Sequence, residues 1–181
     1  MQELLIGDAR KYIGDKSEKY FNRLKLTFTH TSYKYTCILR KAKFYKNKNK
    51  ILYLIYRYRL LRASIKFGYQ IGVEADIGKG LYLGHRGAVV VNSKAILGEN
   101  ISIAQGVTIG QENRGKRQGV PTIGNKVWLG ANAVVVGKIN IGDDVLIAPN
   151  AYVNFDVPDH SIVVGNPAKI ISRENATDGY V

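Results

Sequence analysis

Residues 123–153 read IGNKVWLGANAVVVGKINIGDDVLIAPNAYV, and an aliphatic residue returns at every sixth position: Ile123, Leu129, Val135, Ile141, Ile147 and Val153. Working back along the chain, the same spacing appears in Val91, Leu97, Ile103 and Ile109, and before them in Ile71, Ile77, Leu83 and Val89. The next residue is often Gly or Ala, and the fourth after each aliphatic is small or branched, as at Ala75, Ala95, Val107, Val127, Ala133 and Ala151. A period of six fits neither a simple alternating strand nor a helix of 3.6 residues per turn. It fits a short strand plus a turn, with the aliphatic pointing inward and the small residue letting the backbone bend. Three such units close a triangular coil of about 18 residues, and stacked coils bury a continuous core. The fold expected from 70–171 is therefore mainly β.

The rhythm breaks twice. Between Leu83 and Val91 the register slips by two residues, and His85 lies in that slip. Between Ile109 and Ile123 the gap is 14, where 12 would keep the count, and it holds the polar loop Gln111–Gly119. Regular coils are scaffold, so chemistry is expected at the breaks.

The net charge of +13 suggests nucleic acid or an anionic membrane until it is divided. Residues 1–69 hold 17 Lys+Arg against 4 Asp+Glu, whereas 70–181 hold ten of each, so the whole excess lies in the first 69 residues. Nine of the 12 Tyr lie there too, while 16 of the 19 Gly and all four Pro lie beyond. The chain thus divides into a basic helical region at 1–69, the repeat domain at 70–171 and a tail at 172–181. Asn49 opens a stretch with apolar residues at Ile51, Leu54, Ile55, Tyr58, Leu61 and Ile65, a helical spacing. Three roles stay open for residues 1–69: a cap with a solvated basic face, a contact with an anionic membrane, or, least of the three, a nucleic-acid contact, for which no motif is present. No apolar run approaches the ~18–20 residues of a membrane span, and the N-terminus meets charge too early for a secretory leader. The single Cys37 fits a reducing cytoplasm, with the inner membrane face as a second location. Three scattered histidines and one cysteine give no metal-ligand spacing, so no metal is expected.

The hexapeptide pattern, with LGH at 83–85, QGVTIG at 105–110 and DVPDHSIVVGNPAKII at 156–171, resembles the left-handed parallel β-helix acyltransferases. Within them it looks most like the serine acetyltransferase branch and its polysaccharide O-acetyltransferase relatives. The left-handed sense, the acetyl-CoA co-substrate and a homotrimer with sites between subunits are implied by that resemblance. So is the role of His85 as the base that deprotonates an acceptor hydroxyl, a task that suits an imidazole with an ordinary pKa of roughly 6.5. Oxyanion donors are expected near Gly110 and Gln111. Small residues Gly130, Ala131, Ala148 and Pro149 would let the pantetheine arm lie close, with Lys169 placed for phosphate.

Two departures from the family bear on the acceptor. Where serine acetyltransferases carry an aspartate fifteen residues before the histidine, this chain has Gln70, with Glu74 as a substitute. Where serine-binding members carry Arg-His before the loop proline, it has Gly119-Val120 before Pro121. A serine carboxylate would then need Arg114 or Arg117, with Gln105 also on the acceptor side. These departures favour a sugar hydroxyl, free or on a lipid-linked glycan, in surface-polysaccharide synthesis. Serine O-acetylation is the alternative, and a non-catalytic scaffold the third reading. His30 and His160 read as structural or solvent-facing.

Overall fold

The computed structural model describes residues 1–181. Four helices, α1 (Gln2–Ile13), α2 (Tyr20–Thr29), α3 (Thr31–Tyr45) and α4 (Lys50–Phe67), precede fifteen short strands. Helix α4 starts where Asn49 accepts a hydrogen bond from the Leu52 amide, and ends at Gly68 in the left-handed conformation. The strands form a parallel solenoid of about five turns with three faces, matching a left-handed β-helix. One face is β1 (Tyr69–Ile71), β4 (Val89–Val91), β7 (Thr108–Gly110), β10 (Val134–Val136) and β13 (Tyr152–Val153). A second is β2 (Asp76–Ile77), β5 (Ile96–Leu97), β8 (Thr122–Ile123) and β11 (Asn140–Ile141). The third is β3 (Tyr82–Leu83), β6 (Ser102–Ile103), β9 (Val127–Leu129), β12 (Val145–Ile147), β14 (Ser161–Val164) and β15 (Lys169–Ser172).

The hexad positions form the core. From Ile71 to Val153, every aliphatic of the three series is at most 6% exposed, and so are the small residues four places later. The glycines after them have a specific reason at one corner. A Cβ on Gly78 would stand 2.6 Å from the Gly98 carbonyl oxygen, and one on Gly98 would stand 2.6 Å from that of Gly124. Successive coils stack there backbone on backbone, which no side chain permits.

The strand register explains both breaks. Val90 pairs with Thr108 and Val134 with Tyr152, eighteen residues on in each case. Across the first break Gln70 pairs with Val90, so two residues are inserted at the corner that holds His85. Across the second, Thr108 pairs with Val134, twenty-six residues on. The sequence count of 12 is corrected here: Ile109 and Ile123 are consecutive hexads on adjacent faces, so the loop adds eight residues rather than two. It leaves and returns at one corner, and is pinned by reciprocal Glu112–Gly119 backbone bonds of 2.9 and 3.0 Å.

The helices close the first coil with side chains rather than with strands. The Asp8 carboxylate accepts from the Gly80 and Leu81 amides at 2.9 and 2.8 Å, while the Arg40 guanidinium holds both Asp8 oxygens and the carbonyls of Ile77 and Gly78. Tyr35 accepts from the Ile71 amide, Lys43 donates to the Ala75 carbonyl, and the Tyr12 hydroxyl bonds to both backbone groups of Leu83. Tyr35, Ile38, Leu39, Leu60 and Phe67 from α3 and α4 extend the prism's core upward as one cluster. The six apolar residues whose spacing marks α4 in the sequence do not join it; all are exposed.

At the other end β15 runs antiparallel to β14, and the tail folds back onto Asp144. That buried carboxylate accepts from the Thr177 hydroxyl, the Ala176 and Thr177 amides and the His160 ring. Burial pushes the Asp144 carboxyl up, but these donors outweigh it and hold it well below the usual carboxylate range. The same bond raises His160, with Glu174 adding to it. A raised histidine contributes stability that is complete below its ordinary value and lost as pH rises through the raised one. Amide protection at Ala176 and Thr177 is therefore expected to fall as pH climbs above roughly 6.5, and His160→Gln to flatten that dependence. Protection that stays level in the parent chain would remove His160 from the anchor.

Candidate active site

The two-residue insertion at Gly84–Ala88 pushes His85 out of the prism into a cleft of about 350 Å³ between the first coil and the helices. Its lining includes Lys11, Tyr12, His30, Ser32, Tyr82 and Arg86 beside His85, and no acidic residue. The Tyr12 ring lies 4.8 Å from that of Tyr82 and 5.7 Å from that of His30, which ties both walls together. Burial lowers the Lys11 ammonium below its ordinary value.

The corner beneath His85 is held from inside. The Tyr69 hydroxyl donates to the His85 carbonyl at 3.1 Å and pairs with Ser32 Oγ at 2.7 Å. Burial raises the Tyr69 hydroxyl, so it stays a protonated donor. Gln70 follows on the exposed outer side of β1. Glu74 is turned away from the histidine, in an ion pair with Lys46 of the linker after α3.

One edge of the prism collects many of the expected residues. It joins the third face to the first and carries, coil by coil, His85, Gln105, Gly130–Ala131 and Ala148–Pro149. A Cβ on Gly87 would lie 3.0 Å from that of Gln105, the Asn132 amide donates to the Gln105 carbonyl, and the Asn150 amide donates to the Ala131 carbonyl. A Cβ on Gly130 would meet the Pro149 nitrogen at 2.6 Å, so these small residues stack directly. Lys169 pairs with Val164, where β14 runs into the same edge. Gly110 and Gln111 are elsewhere: Gly110 ends β7 and Gln111 follows it at the next corner, where the loop with Arg114 and Arg117 departs. There Gln111 donates to Asn113, and Arg117 donates to the Asn154 carbonyl. Within one subunit, this loop and His85 lie on different edges of the prism.

No spacing or motif in the sequence marks His30, Lys11, Arg86, Ser32 or Tyr69 as neighbours of His85. Only the crowding of tyrosines before residue 70 hints at them. His30 was read as structural or solvent-facing; it stands on the helical wall of the His85 cleft.

A family model described as bacterial transferase hexapeptide (six repeats) matches residues 121–154. Serine acetyltransferase 4 of Arabidopsis thaliana is 40% identical over 136 residues, covering 75% of this chain and 38% of the relative. A serine acetyltransferase of Helicobacter pylori is 41% identical over 107 residues, covering 59% of this chain and 63% of the relative. The chain therefore spans less than two thirds of either relative. The crystal structure of Neisseria gonorrhoeae serine acetyltransferase in complex with serine superposes with a TM-score of 0.76 at 30% identity, over 93% of this chain and 68% of that one. Fold, repeat and sequence agree: the chain belongs to the hexapeptide-repeat acyltransferases, in their serine acetyltransferase-like branch.

Proposed function

We propose that this chain is an acetyl-CoA-dependent O-acetyltransferase, with serine as the acceptor best supported. The observation that carries the reading is His85, displaced by two inserted residues into a cleft with no acidic lining, at the head of an edge of stacked small residues. Acetyl-CoA supplies the acyl group as a thioester. His85 takes the acceptor hydroxyl proton as the oxygen attacks the thioester carbonyl, and the proton then passes to the departing thiolate. The edge through Gly130, Ala131, Ala148 and Pro149 fits a thin pantetheine arm, because the side chains of these four residues are small or absent, with the Trp128 ring lying against Gly130. Lys169 lies toward the far end of that edge for the nucleotide phosphates. Gly110, Gln111, Arg114 and Arg117 lie on another edge of the prism, so they would act at His85 only across a subunit boundary, as the proposed homotrimer would provide.

Serine gains support from the relatives, which are serine acetyltransferases, and from the cleft itself. The sequence argument against serine rests on a missing partner for its carboxylate, and Arg86 and Lys11 stand beside His85 to provide one. A sugar hydroxyl is the second reading, favoured by Gly119-Val120 and by Gln70, which would leave an imidazolium without a charged partner. CoA release with free serine, serine methyl ester and candidate glycans separates them. Turnover of serine is expected, with the ester much poorer and Arg86→Ala raising KM. Turnover confined to a glycan would replace serine with the sugar.

A further inference from the structure

Helix α4 carries a second apolar face that the chain itself leaves uncovered. Leu60, Ala63 and Phe67 turn inward, whereas Ile51, Leu54, Ile55, Tyr58, Leu61 and Ile65 point outward, between 47% and 76% exposed. At about 100° per residue these six fill an arc of roughly 120° opposite Leu60. Lys50 and Arg57 run along one side of the arc, and Arg59, Arg62 and Lys66 along the other, all exposed. No acidic residue occurs anywhere between Glu18 and Glu74. Helix α2 adds Tyr20, Phe21 and Phe28, each more than 70% exposed. A separate apolar groove of about 320 Å³ lies over α3 between Tyr20 and Leu24 on one side and Tyr45 and the inward-facing Tyr56 on the other, and none of the six stripe residues lines it. The Arg59 guanidinium sits 5.3 Å from the centre of the Tyr56 ring.

An uncovered apolar stripe of this length on a single helix marks an interaction surface. Its spacing at 51, 54, 58, 61 and 65 is also that of a coiled-coil seam, which a second copy of α4 could fill in purely steric terms. Charge decides against that occupant. Paired copies would set Arg57 and Arg62 beside the same basic rows of the other helix, with no acidic residue on either to answer them. An anionic bilayer answers both rows with lipid phosphate while the stripe enters the headgroup–acyl boundary, the long Lys and Arg stems following it down. No helix is long and apolar enough to cross a membrane, so α4 would lie flat.

We propose that the outer face of α4 is a docking surface for anionic membrane. The test is flotation of the full chain with phosphatidylcholine vesicles, with and without phosphatidylglycerol. Binding is expected only with the anionic lipid, weakening as salt rises. Leu61→Glu combined with Ile65→Glu should lower partitioning at least about tenfold. Both positions are solvent-facing, so thermal unfolding of that variant should match the parent and exclude misfolding as the cause. Failure of the parent chain to float at physiological salt would overturn the proposal, as would a double variant that binds equally well. A double variant that lowers the assembly mass by light scattering, with no vesicle binding by the parent, would assign the stripe to a second copy instead.

Discussion

His85→Ala is expected to lower kcat for acetyl transfer by about 10²–10⁴-fold, the usual contribution of a positioned general base. The loss should fall on kcat more than on KM, because in the proposed reaction the ring would act on the proton and the cleft cations on the acceptor. Stability should be unaffected: the side chain is exposed, and the corner is held through the His85 backbone carbonyl by Tyr69, a bond that alanine retains. Initial rates of CoA release with saturating acetyl-CoA, alongside the unfolding midpoint of each protein, measure both. Undiminished transfer by a folded His85→Ala protein would end the assignment of this cleft.

The second large effect is on folding. Arg40→Met is expected to destabilise the chain by about 3–5 kcal/mol, because it strands the Asp8 carboxylate in a site where both partners are at most 3% exposed. It also removes the donors to the Ile77 and Gly78 carbonyls. At this chain length the midpoint should drop by roughly 10 °C. Adding Asp8→Asn to Arg40→Met should recover part of the loss. The uncompensated charge is then gone, while the amide oxygen still accepts from Gly80 and Leu81. A midpoint for Arg40→Met within a degree or two of the parent would show that the pair does not hold the helices to the prism.

The contrast between these two residues shows what the sequence made legible. His85 stands out as a candidate because it falls in a break of the period and within LGH at 83–85, which resembles the family's motif; a break in a regular pattern is a local signal. The core was visible for the same reason, since each hexad aliphatic reports its own burial. Asp8 and Arg40 meet each other 32 residues apart, and Asp8 meets Gly80 and Leu81 across more than 70. No spacing rule connects such positions. The far wall of the cleft is hidden likewise: His30 and Ser32 reach the His85 corner from the start of α3, whose own pattern says nothing of the coil it faces. Counting also failed where the chain leaves the prism. A hexad count cannot tell that the loop beginning at Gln111 exits and re-enters at one corner, so its length was read as a shorter slip.

The paired closures at the two ends have a consequence for how copies of this protein can meet. Every coil of a solenoid presents hydrogen-bonding edges that could template another coil, and an uncapped prism would invite stacking into fibrils. Here Asp8, Arg40, Tyr35, Lys43 and Tyr12 occupy those groups on the first coil, and β15 with the returning tail covers the last strand of the third face. Growth along the axis is thereby blocked over the first coil and, at the far end, over the third face. The flanks are then the surfaces left for the proposed homotrimer, whose symmetry would close at a fixed number of subunits.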